Sequence, residues 1–392
     1  AEREGELRQL RRLARARRAA DDDDLVRCQR GSNLVAPGRD RERFGEGNRP
    51  QRKGGNSGRY RSRHAARIIL GALRTAHNRT RLAPSSMPPS PTETLWRDAA
   101  LDAQALSRLT LCGADPVLPS SFAVGLAAQT SIALAALAAT EIGLRRNGSA
   151  QRVEVDLREA AIECTARYTL NGVAPDPWDK LAGLYRCRSG WVRVHTNFAH
   201  HRDALLRCLA LPEGAATERA TVAQALANHD AIEFEEQANA AGCVVAALRS
   251  FDEWDAHPQS AAVAAQPLVA IERIGDAPAL VWPRLAPNDA PLAGLRVLDL
   301  TRILAGPFGT RLLATYGADV LLVNAPHLPN IDAIADLSRG KRSALADLRE
   351  PADREALRAA LADSNVFIQG YRPGAIDALG FGPSALAELR PG

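Results

Sequence analysis

The pattern of apolar and polar positions changes close to Met87. Residues 1–86 show no sustained helical or strand period and are crowded with arginine. Such a segment buries too little apolar surface to offset the entropy that it would lose on ordering, so we predict a disordered tail. From Leu95 onward, apolar residues recur at the spacings of helices and strands, which predicts folded domains.

The longest apolar run predicts a buried helix. Residues Leu126–Leu144 are apolar almost all round, which is typical of a helix enclosed by other elements. The overlapping run Phe122–Ala139 is long enough for a membrane span to be considered. It is rich in alanine, however, which adds little insertion energy, and polar residues interrupt it. We therefore predict a core helix and no membrane partner.

The middle of the chain alternates between short strands and amphipathic helices. The strands have apolar residues at every second position and the helices at every third or fourth. A Pro-rich segment without either period follows and is predicted to be a linker. The predicted elements are strands Arg152–Leu157 and Trp191–His195, helices Arg158–Tyr168, Ala199–Leu211 and Thr221–Ala241, and the linker Pro267–Pro291.

The last hundred residues predict an open parallel sheet. Strand, helix and strand follow one another at the spacing of right-handed crossovers, which favours a Rossmann-like arrangement. The predicted elements are strands Arg296–Leu300, Ala318–Val323 and Asn365–Gln369, helix Phe308–Tyr316 with Pro307 at its first position, and helix Pro351–Leu361. The fold class is therefore α/β, with this sheet accompanied by a smaller α+β domain in the middle of the chain.

Two loops lie where such a sheet binds its ligands. Parallel open sheets bind ligands beyond the carboxyl ends of their strands, and Thr301–Gly306 and Gly370–Gly374 follow two of the predicted strands. Because no GxGxxG sequence opens a helix there, a dinucleotide site has no support.

Charge separates the tail from the rest of the chain. The formal net charge is +5, but arginine concentrates it in residues 1–86, and the remainder is acidic overall. Three hypotheses fit the tail: a nucleic-acid-binding arm, a solvated segment without function, or a reading frame that begins before Met87, the only methionine. Few aromatic residues interleave with the basic ones, so nucleic-acid binding is the least favoured of the three.

Cysteine usage points to a reducing compartment. The six cysteines form no CxxC pair and are widely spaced, so neither a disulfide framework nor a zinc site is indicated. No signal peptide is recognisable. These features predict reduced thiols and a cytoplasmic protein.

Three motifs in the last hundred residues carry a family resemblance. They are "LAGLRVLDLTRILAGPFGTRLLATYGADVLLV", "RGKRSALADL" and "GYRPGAIDALGFGPSAL". Together they resemble the amino-terminal domain of the class III CoA-transferases, the CaiB/BaiF-like group of formyl-CoA and carnitine–CoA transferases. Earlier segments, "NGSAQRVEVDLREAAI", "LYRCRSGWVRVHTNF" and "FDEWDAHPQ", resemble the later parts of the same family.

The order of these segments is that of a fused two-unit relative that is cut short. The resemblance implies four regions: a tail or mis-started frame (1–86), the rear of a first large domain (87–165), a small domain and linker (166–290), and the front of a second unit (291–392). Family members form interlocked dimers, so a homodimer is expected.

The resemblance also implies a chemistry. Family members move CoA between an acyl-CoA and a carboxylic acid, and an aspartate attacks the thioester to give an aspartyl-CoA intermediate. Ser121 occupies the place of that aspartate, and the matching aspartate of the second unit would follow Gly392. We therefore expect this chain to be inactive. Asp299 and Asp319 lie in or beside strands and are predicted to be structural.

The family's CoA site suggests which residues bind CoA here, as a substrate and not as a permanent cofactor. Lys341 and Arg342 are expected to meet phosphates, and two positions, Asn324 and Ala378, depart from the family pattern. The candidate CoA-binding residues are Arg302, Ile303, Leu304, Ala305, Lys341, Arg342, Tyr371 and Arg372.

A histidine group offers a weaker alternative site. His195, His200 and His201 lie on a predicted strand and at a helix start, where they face different ways, so no metal is predicted. Trp254 and His257 are expected to pack. Two alternative functions stay open: a non-catalytic acyl-CoA-binding or scaffold protein, and an acyl-CoA racemase, for which no His/Asp pair is found.

Overall fold

Three β-sheets organise the part of the chain that the structure describes. The computed structural model describes residues 90–147, 149–165 and 168–391. The predictions for the tail, Met87, Cys28 and Gly392 therefore lie outside the described residues. The described sheets are a parallel pair, an antiparallel sheet of three strands and a parallel sheet of four.

The first parallel pair is built around a long helix. Its strands β1 and β2 run in parallel register from Leu109↔Val153 to Cys112↔Asp156. The described elements up to residue 165 are α1 Pro91–Asp98, a 3₁₀ helix Ala103–Arg108, β1 Leu109–Cys112, α2 Val124–Asn147, β2 Val153–Asp156 and α3 Leu157–Glu163.

Helix α2 is a core element, as the sequence predicts. Ala133 and Leu137 are fully buried in a cluster with Trp96 of α1. The Gln129 side chain donates 2.8 Å hydrogen bonds to the carbonyls of Cys112 and Val155, which ties the helix to the ends of both strands. Among the described residues, α2 alone is long and apolar enough to cross a membrane by length and composition, a test that core helices also pass.

The middle of the described chain folds into an antiparallel sheet covered by helices. Strands follow the order β3-β4-β5. The core holds the fully buried Leu181, Val192, Val194, Leu206 and Phe234. The elements are β3 Gly183–Cys187, β4 Gly190–Val194, α4 Ala199–Cys208, α5 Arg219–Leu226, α6 Ala231–Ala240, β5 Val245–Ala247, α7 Phe251–Asp255 and α8 Pro258–Ala264.

One helix prediction in this region is wrong. The segment Thr221–Ala241 forms two helices, α5 and α6, because the chain turns between them at residues 227–230. Asp230 starts the second helix by accepting hydrogen bonds from the backbone N–H groups of Ile232 and Glu233, an N-cap that satisfies otherwise unpaired donors. The predicted linker carries no helix or strand over 267–291.

The four-stranded parallel sheet confirms the Rossmann-like prediction. Its order is β8-β7-β6-β9, with all three neighbouring pairs parallel. The elements are β6 Arg296–Asp299, α9 Ala305–Thr315, β7 Asp319–Asn324, α10 Ile334–Leu337, β8 Arg342–Leu345, α11 Pro351–Ala362, β9 Val366–Ile368, a 3₁₀ turn Asp377–Leu379 and α12 Pro383–Leu389.

Two details of this sheet differ from the prediction. Helix α9 begins at Ala305, so Pro307 is its third residue and not its first. Proline at the third position costs the helix no hydrogen bond, because the first four N–H groups of a helix have no partner within it. Strand β8 was not predicted at all, although it lies inside the motif that carries the family resemblance.

Helix α2 also packs against this second parallel sheet. Ala139 of α2 shares a buried cluster with Leu292, Val297 and Val320. Arg146, near the end of α2, donates to the carbonyl oxygens of Pro291 and Ala293 at 3.2 and 2.8 Å. Each of the ranges 87–165, 166–290 and 291–392 thus contains its own described sheet, and their division into separate domains stays a prediction.

Candidate functional site

Four loops meet at the carboxyl edge of the four-stranded sheet. They follow β6, β7, β8 and β9, and all four strands are parallel, so their ends lie on the same side. This is the edge at which open α/β sheets bind ligands. The first turn of α9 lies there too, where the helix dipole favours negative charge.

A buried carboxylate anchors the loop after β6. Asp299 is fully buried at the end of β6. Its Oδ1 accepts hydrogen bonds from the backbone N–H of Thr301 at 2.8 Å and from the Thr301 hydroxyl at 2.5 Å. Its Oδ2 faces the Lys341 ammonium at 3.1 Å and accepts from the Thr310 hydroxyl. These contacts agree with a structural role for Asp299.

The loops after β6 and β9 are neighbours, because these two strands pair in parallel. Ile303 and Leu304 are 36% and 46% exposed, so the loop after β6 offers apolar surface to a ligand. Burial raises the pKa of the Tyr371 phenol, and the neighbouring Arg302 guanidinium opposes that shift. Arg372 follows Tyr371 and is exposed. Arg302 to Ala305, Tyr371 and Arg372 therefore lie at one edge, as the sequence predicts.

A small cleft separates the loops after β6 and β7. It has room for little more than one water molecule, about 10 Å³, and is lined by residues that include Thr301, Arg302, Asn324 and Asn330. Asn324, at the end of β7, is 6% exposed, and its Oδ1 has no hydrogen-bond partner. An amide oxygen stands here where the family pattern has an acidic residue, so the cleft carries no carboxylate at this position.

The structure contradicts the predicted phosphate contact of Lys341. The Lys341 side chain is 0% exposed, and Nζ donates to Asp299, to the Pro307 carbonyl at 2.9 Å and to the Thr310 hydroxyl at 2.7 Å. These acceptors use all three ammonium protons. Burial lowers the pKa of the ammonium, while Asp299 opposes that shift.

Arg342 does not lie at the ligand edge either. It is the first residue of β8, so it lies at the amino end of the strand. Its guanidinium makes a bidentate contact with Asp319, the first residue of β7. The amino ends of parallel strands lie at the edge opposite their carboxyl ends, so this pair is at the edge away from the candidate ligand site. The structure therefore does not place Lys341 and Arg342 where they would contact a ligand at the carboxyl edge, while the structural role predicted for Asp319 agrees with the pair.

The residues that follow β8 lie at the carboxyl edge, where Lys341 and Arg342 were expected. Asp347 and Arg349 form an ion pair at 2.7 Å, with the Arg349 side chain 65% exposed. Hydrogen bonding from Arg349 holds the pKa of the Asp347 carboxyl well below its usual range. His327, after β7, lies 3.7 Å from the same carboxylate. Strand β8 was missed because its sequence, Arg-Ser-Ala-Leu, does not alternate between polar and apolar residues.

The three histidines form a group of ring contacts. The ring centroids of His200 and His201 are 4.1 Å apart, and those of His195 and His201 are 6.1 Å apart. The His201 Nδ1 atom is buried without a partner. In the described part of the chain, no group of three or more His, Cys, Asp or Glu side chains could hold a metal ion.

We expect this group to make the protein less stable in mild acid. Burial lowers the pKa of His195 and His201 below 6.5, and neighbouring His200, Arg193 and Arg372 act in the same direction. The unfolded chain therefore binds protons first as the pH falls below 6.5, so stability is full above that pH and is lost below it.

The measurement is the urea midpoint at about pH 7.5 and about pH 5.5, because the interval spans the ordinary histidine pKa. His201→Phe removes one titrating ring and keeps an aromatic contact with Phe198, so its midpoint should fall less than that of the wild type. An unchanged pH dependence in this variant would contradict the prediction.

The sequence model of CoA-transferase family III matches residues 102–282 and 292–392, more than half of the chain. The chain belongs to CoA-transferase family III.

Curated relatives and solved structures match parts of the chain. It is 30% identical to the acetyl-coenzyme A transferase nodX of Hypoxylon pulicicidum over 224 residues, 53% of this chain and 37% of that protein. It is 34% identical to a formyl-CoA:oxalate CoA-transferase of Rhodopseudomonas palustris over 113 residues, 26% of each. A CAIB/BAIF family protein from Brucella suis shares 32% identity, covering 26% of this chain and 32% of that one, with a TM-score of 0.25. The chain spans less than two fifths of these proteins.

The position expected for the family III nucleophile lies in an exposed loop before α2. Ser121 is exposed, and its neighbour Phe122 makes an edge contact with Phe251 at 5.8 Å between ring centroids. A carboxylate that the sequence did not single out, Asp115, contacts the first turn of α2. Asp115 accepts a hydrogen bond from the backbone N–H of Leu126 at 3.1 Å, so it caps the helix.

Proposed function

We propose that this chain binds coenzyme A and acyl-CoA at the carboxyl edge of its four-stranded sheet. The observation that supports this most is the grouping of basic, aromatic and exposed apolar residues on loops that follow parallel strands. Arg302, Ile303, Tyr371 and Arg372 come from two such loops, which follow the neighbouring strands β6 and β9. CoA carries phosphates, an adenine ring and an apolar pantetheine arm, which these groups complement.

The arrangement assigns each part of the ligand to a type of group. The guanidinium groups of Arg302 and Arg372, with the N–H groups of the first turn of α9, favour the phosphates. The Tyr371 ring offers a stacking surface for adenine, and Ile303 and Leu304 offer apolar contact to the pantetheine. Arg349 adds a further exposed cation at the same edge.

The reaction proposed for the whole protein is CoA transfer between an acyl-CoA and a carboxylic acid. An aspartate carboxylate attacks the thioester carbonyl and expels CoA thiolate, which gives a mixed anhydride. The thiolate then attacks the aspartyl carbonyl, which gives aspartyl-CoA and releases the acid. The second acid repeats these steps in reverse order and leaves as the new acyl-CoA.

Serine at position 121 does not support this sequence of steps. A serine hydroxyl would give an ester and not an anhydride. That ester has only the carbonyl of the substrate acyl group, so the CoA thiolate has no enzyme carbonyl to attack. We therefore propose that the first unit of this chain does not catalyse transfer. Ser121 favours one alternative, a non-catalytic acyl-CoA-binding protein, and the racemase alternative has no comparable support. A cytoplasmic homodimer remains the expectation from the family.

Arg372→Ala is expected to weaken CoA binding by about tenfold, because one charge-assisted contact to a phosphate is lost. The measurement is calorimetric titration of CoA and acetyl-CoA into the full chain. Arg342→Ala is the matched control: it removes the same charge at the opposite edge of the sheet and should leave the affinity within about twofold of the wild type.

Three other outcomes would change the assignment. Weaker binding with Arg342→Ala but not with Arg372→Ala would move the site to the amino edge of the sheet. Equal weakening by both variants would indicate a general effect of net charge. Raising the salt concentration should then reduce the loss of affinity equally in the two variants. Absence of CoA binding by folded wild-type protein would contradict the proposed function and leave the scaffold alternative.

A further inference from the structure

One residue of the candidate site has a strained backbone. Ile303 has φ +73°, in the left-handed region that β-branched residues rarely adopt because of steric crowding around Cβ. Its side chain is 36% exposed, so it is not locked in place by full burial. Residues in such conformations persist only where their surroundings fix them, and they cluster at ligand sites.

The segment before Ile303 is fixed by a buried polar group. Asp299 holds the backbone N–H and the hydroxyl of Thr301 through one carboxylate oxygen. Thr301 also packs directly on Gly306: a Cβ at position 306 would lie 2.4 Å from the Thr301 Cβ. Thr301 is therefore held between β6 and the first turn of α9.

The segment after Ile303 is fixed by Lys341, which forms a buried ion pair with Asp299. The Lys341 ammonium contacts Asp299 at 3.1 Å and donates to the Pro307 carbonyl in the first turn of α9. It also donates to the hydroxyl of Thr310, one turn further along the helix, and that hydroxyl donates to Asp299. One buried ion pair thus ties the strand, the start of the loop and the helix together.

We propose that the Asp299–Lys341 pair is a positioning device that holds Ile303 in its left-handed conformation and so presents the loop Thr301–Leu304 to the ligand. Neither side chain is accessible, so both act through Thr301 and α9. The ligand part of this inference rests on the proposed CoA site, whereas the loop conformation does not depend on it.

The test combines removal of the pair with relief of the strain. Asp299→Asn/Lys341→Met removes both charges with side chains of similar size, and we expect it to weaken CoA binding at least about tenfold. Hydrogen exchange of the peptide covering 301–306, measured without ligand, should become at least about tenfold faster. Adding Ile303→Gly should slow that exchange to within about threefold of the wild type, because glycine adopts a positive φ readily; exchange is the readout because Ile303 is itself a proposed ligand contact.

Ile303→Val in the same background is the matched control, because it keeps the branched Cβ and should restore nothing. Recovery with valine equal to that with glycine would overturn the proposal, as would wild-type exchange and affinity in the folded double variant. If the double variant does not fold, Thr301→Val replaces it: it keeps the shape beside Gly306, loses the hydroxyl bond to Asp299, and should speed exchange of the same peptide about threefold. Unchanged exchange in Thr301→Val would then overturn the proposal.

Failure of CoA binding in the wild type would be a separate result. It would remove the proposed function, and hydrogen exchange alone would then decide whether the pair positions the loop. Faster exchange would support the device, and unchanged exchange would exclude it.

Discussion

Replacing Lys341 by methionine is expected to lower the free energy of unfolding by about 3–5 kcal/mol. Methionine fills similar space, but it leaves the Asp299 carboxylate charged and buried without its cation. Both side chains of the pair are 0% exposed, so water cannot compensate. Urea denaturation followed by far-UV circular dichroism measures the change.

Two variants make this prediction specific. Lys180→Met removes a lysine whose pair with Glu218 is exposed, 41% and 72% at the two side chains, and should cost less than about 1 kcal/mol. Asp299→Asn/Lys341→Met leaves no unpaired charge and should recover most of the lost stability. If Lys341→Met costs no more than Lys180→Met, the Lys341 ammonium is not buried as the structure describes.

Much of the parallel sheet could be predicted because its signals are local. Pro351 opens α11 at the predicted residue, and the apolar strands β6 and β7 lie within one residue of their predicted bounds. Each of these elements is defined by its own period and by the residue that starts or ends it. The carboxyl edge and its two loops then follow from the rule for parallel sheets.

The misassigned residues were those whose partners are distant in sequence. A Gly-Lys-Arg-Ser motif suggests an exposed basic pair, since lysine is almost never fully buried unless it is paired. The partner of Lys341 is Asp299, 42 residues earlier, and no local pattern connects them. Asp115, which caps α2 from 11 residues before Leu126, was missed for the same reason.

The failure to predict the break between α5 and α6 has a different cause, because a local signal was present. Asp230 precedes an apolar helical period and Glu233 follows three residues later, which is the usual acidic start of a helix. The period of the apolar residues continued across the turn and outweighed this cap. The cap at Asp230 was therefore the signal that marks the start of a separate helix.

The position of β8 changes how the family motif relates to function. Lys341 and Arg342 lie at the amino end of the strand and stabilise the sheet, with Arg342 paired to Asp319 and Lys341 buried under the loop after β6. Asp347 of the same motif follows the strand and is buried, and it pairs with the exposed Arg349 just after the motif. The motif thus contributes stability at both ends of β8, and the exposed cation at the carboxyl end, Arg349, comes from just beyond it.

Trp96→Ala is expected to cost about 3–5 kcal/mol, the range for emptying a large buried site. Trp96 is 1% exposed, packs against α2 and donates a 2.8 Å hydrogen bond from Nε1 to the Asp102 carbonyl. Trp178→Ala is the matched control, because Trp178 is 54% exposed and its contact with Arg193 contributes about 0.5–1 kcal/mol.

Urea denaturation followed by circular dichroism, which does not depend on tryptophan fluorescence, also tests the predicted domains. If residues 87–165 unfold separately, Trp96→Ala will shift one of several transitions. If the contacts of α2 with both parallel sheets make them one cooperative unit, the transition of residues 292–391 will shift with it. Because Ala139 and Arg146 of α2 pack on the second sheet, we expect the shared shift. Equal midpoints for Trp96→Ala and Trp178→Ala would contradict the described packing of α1.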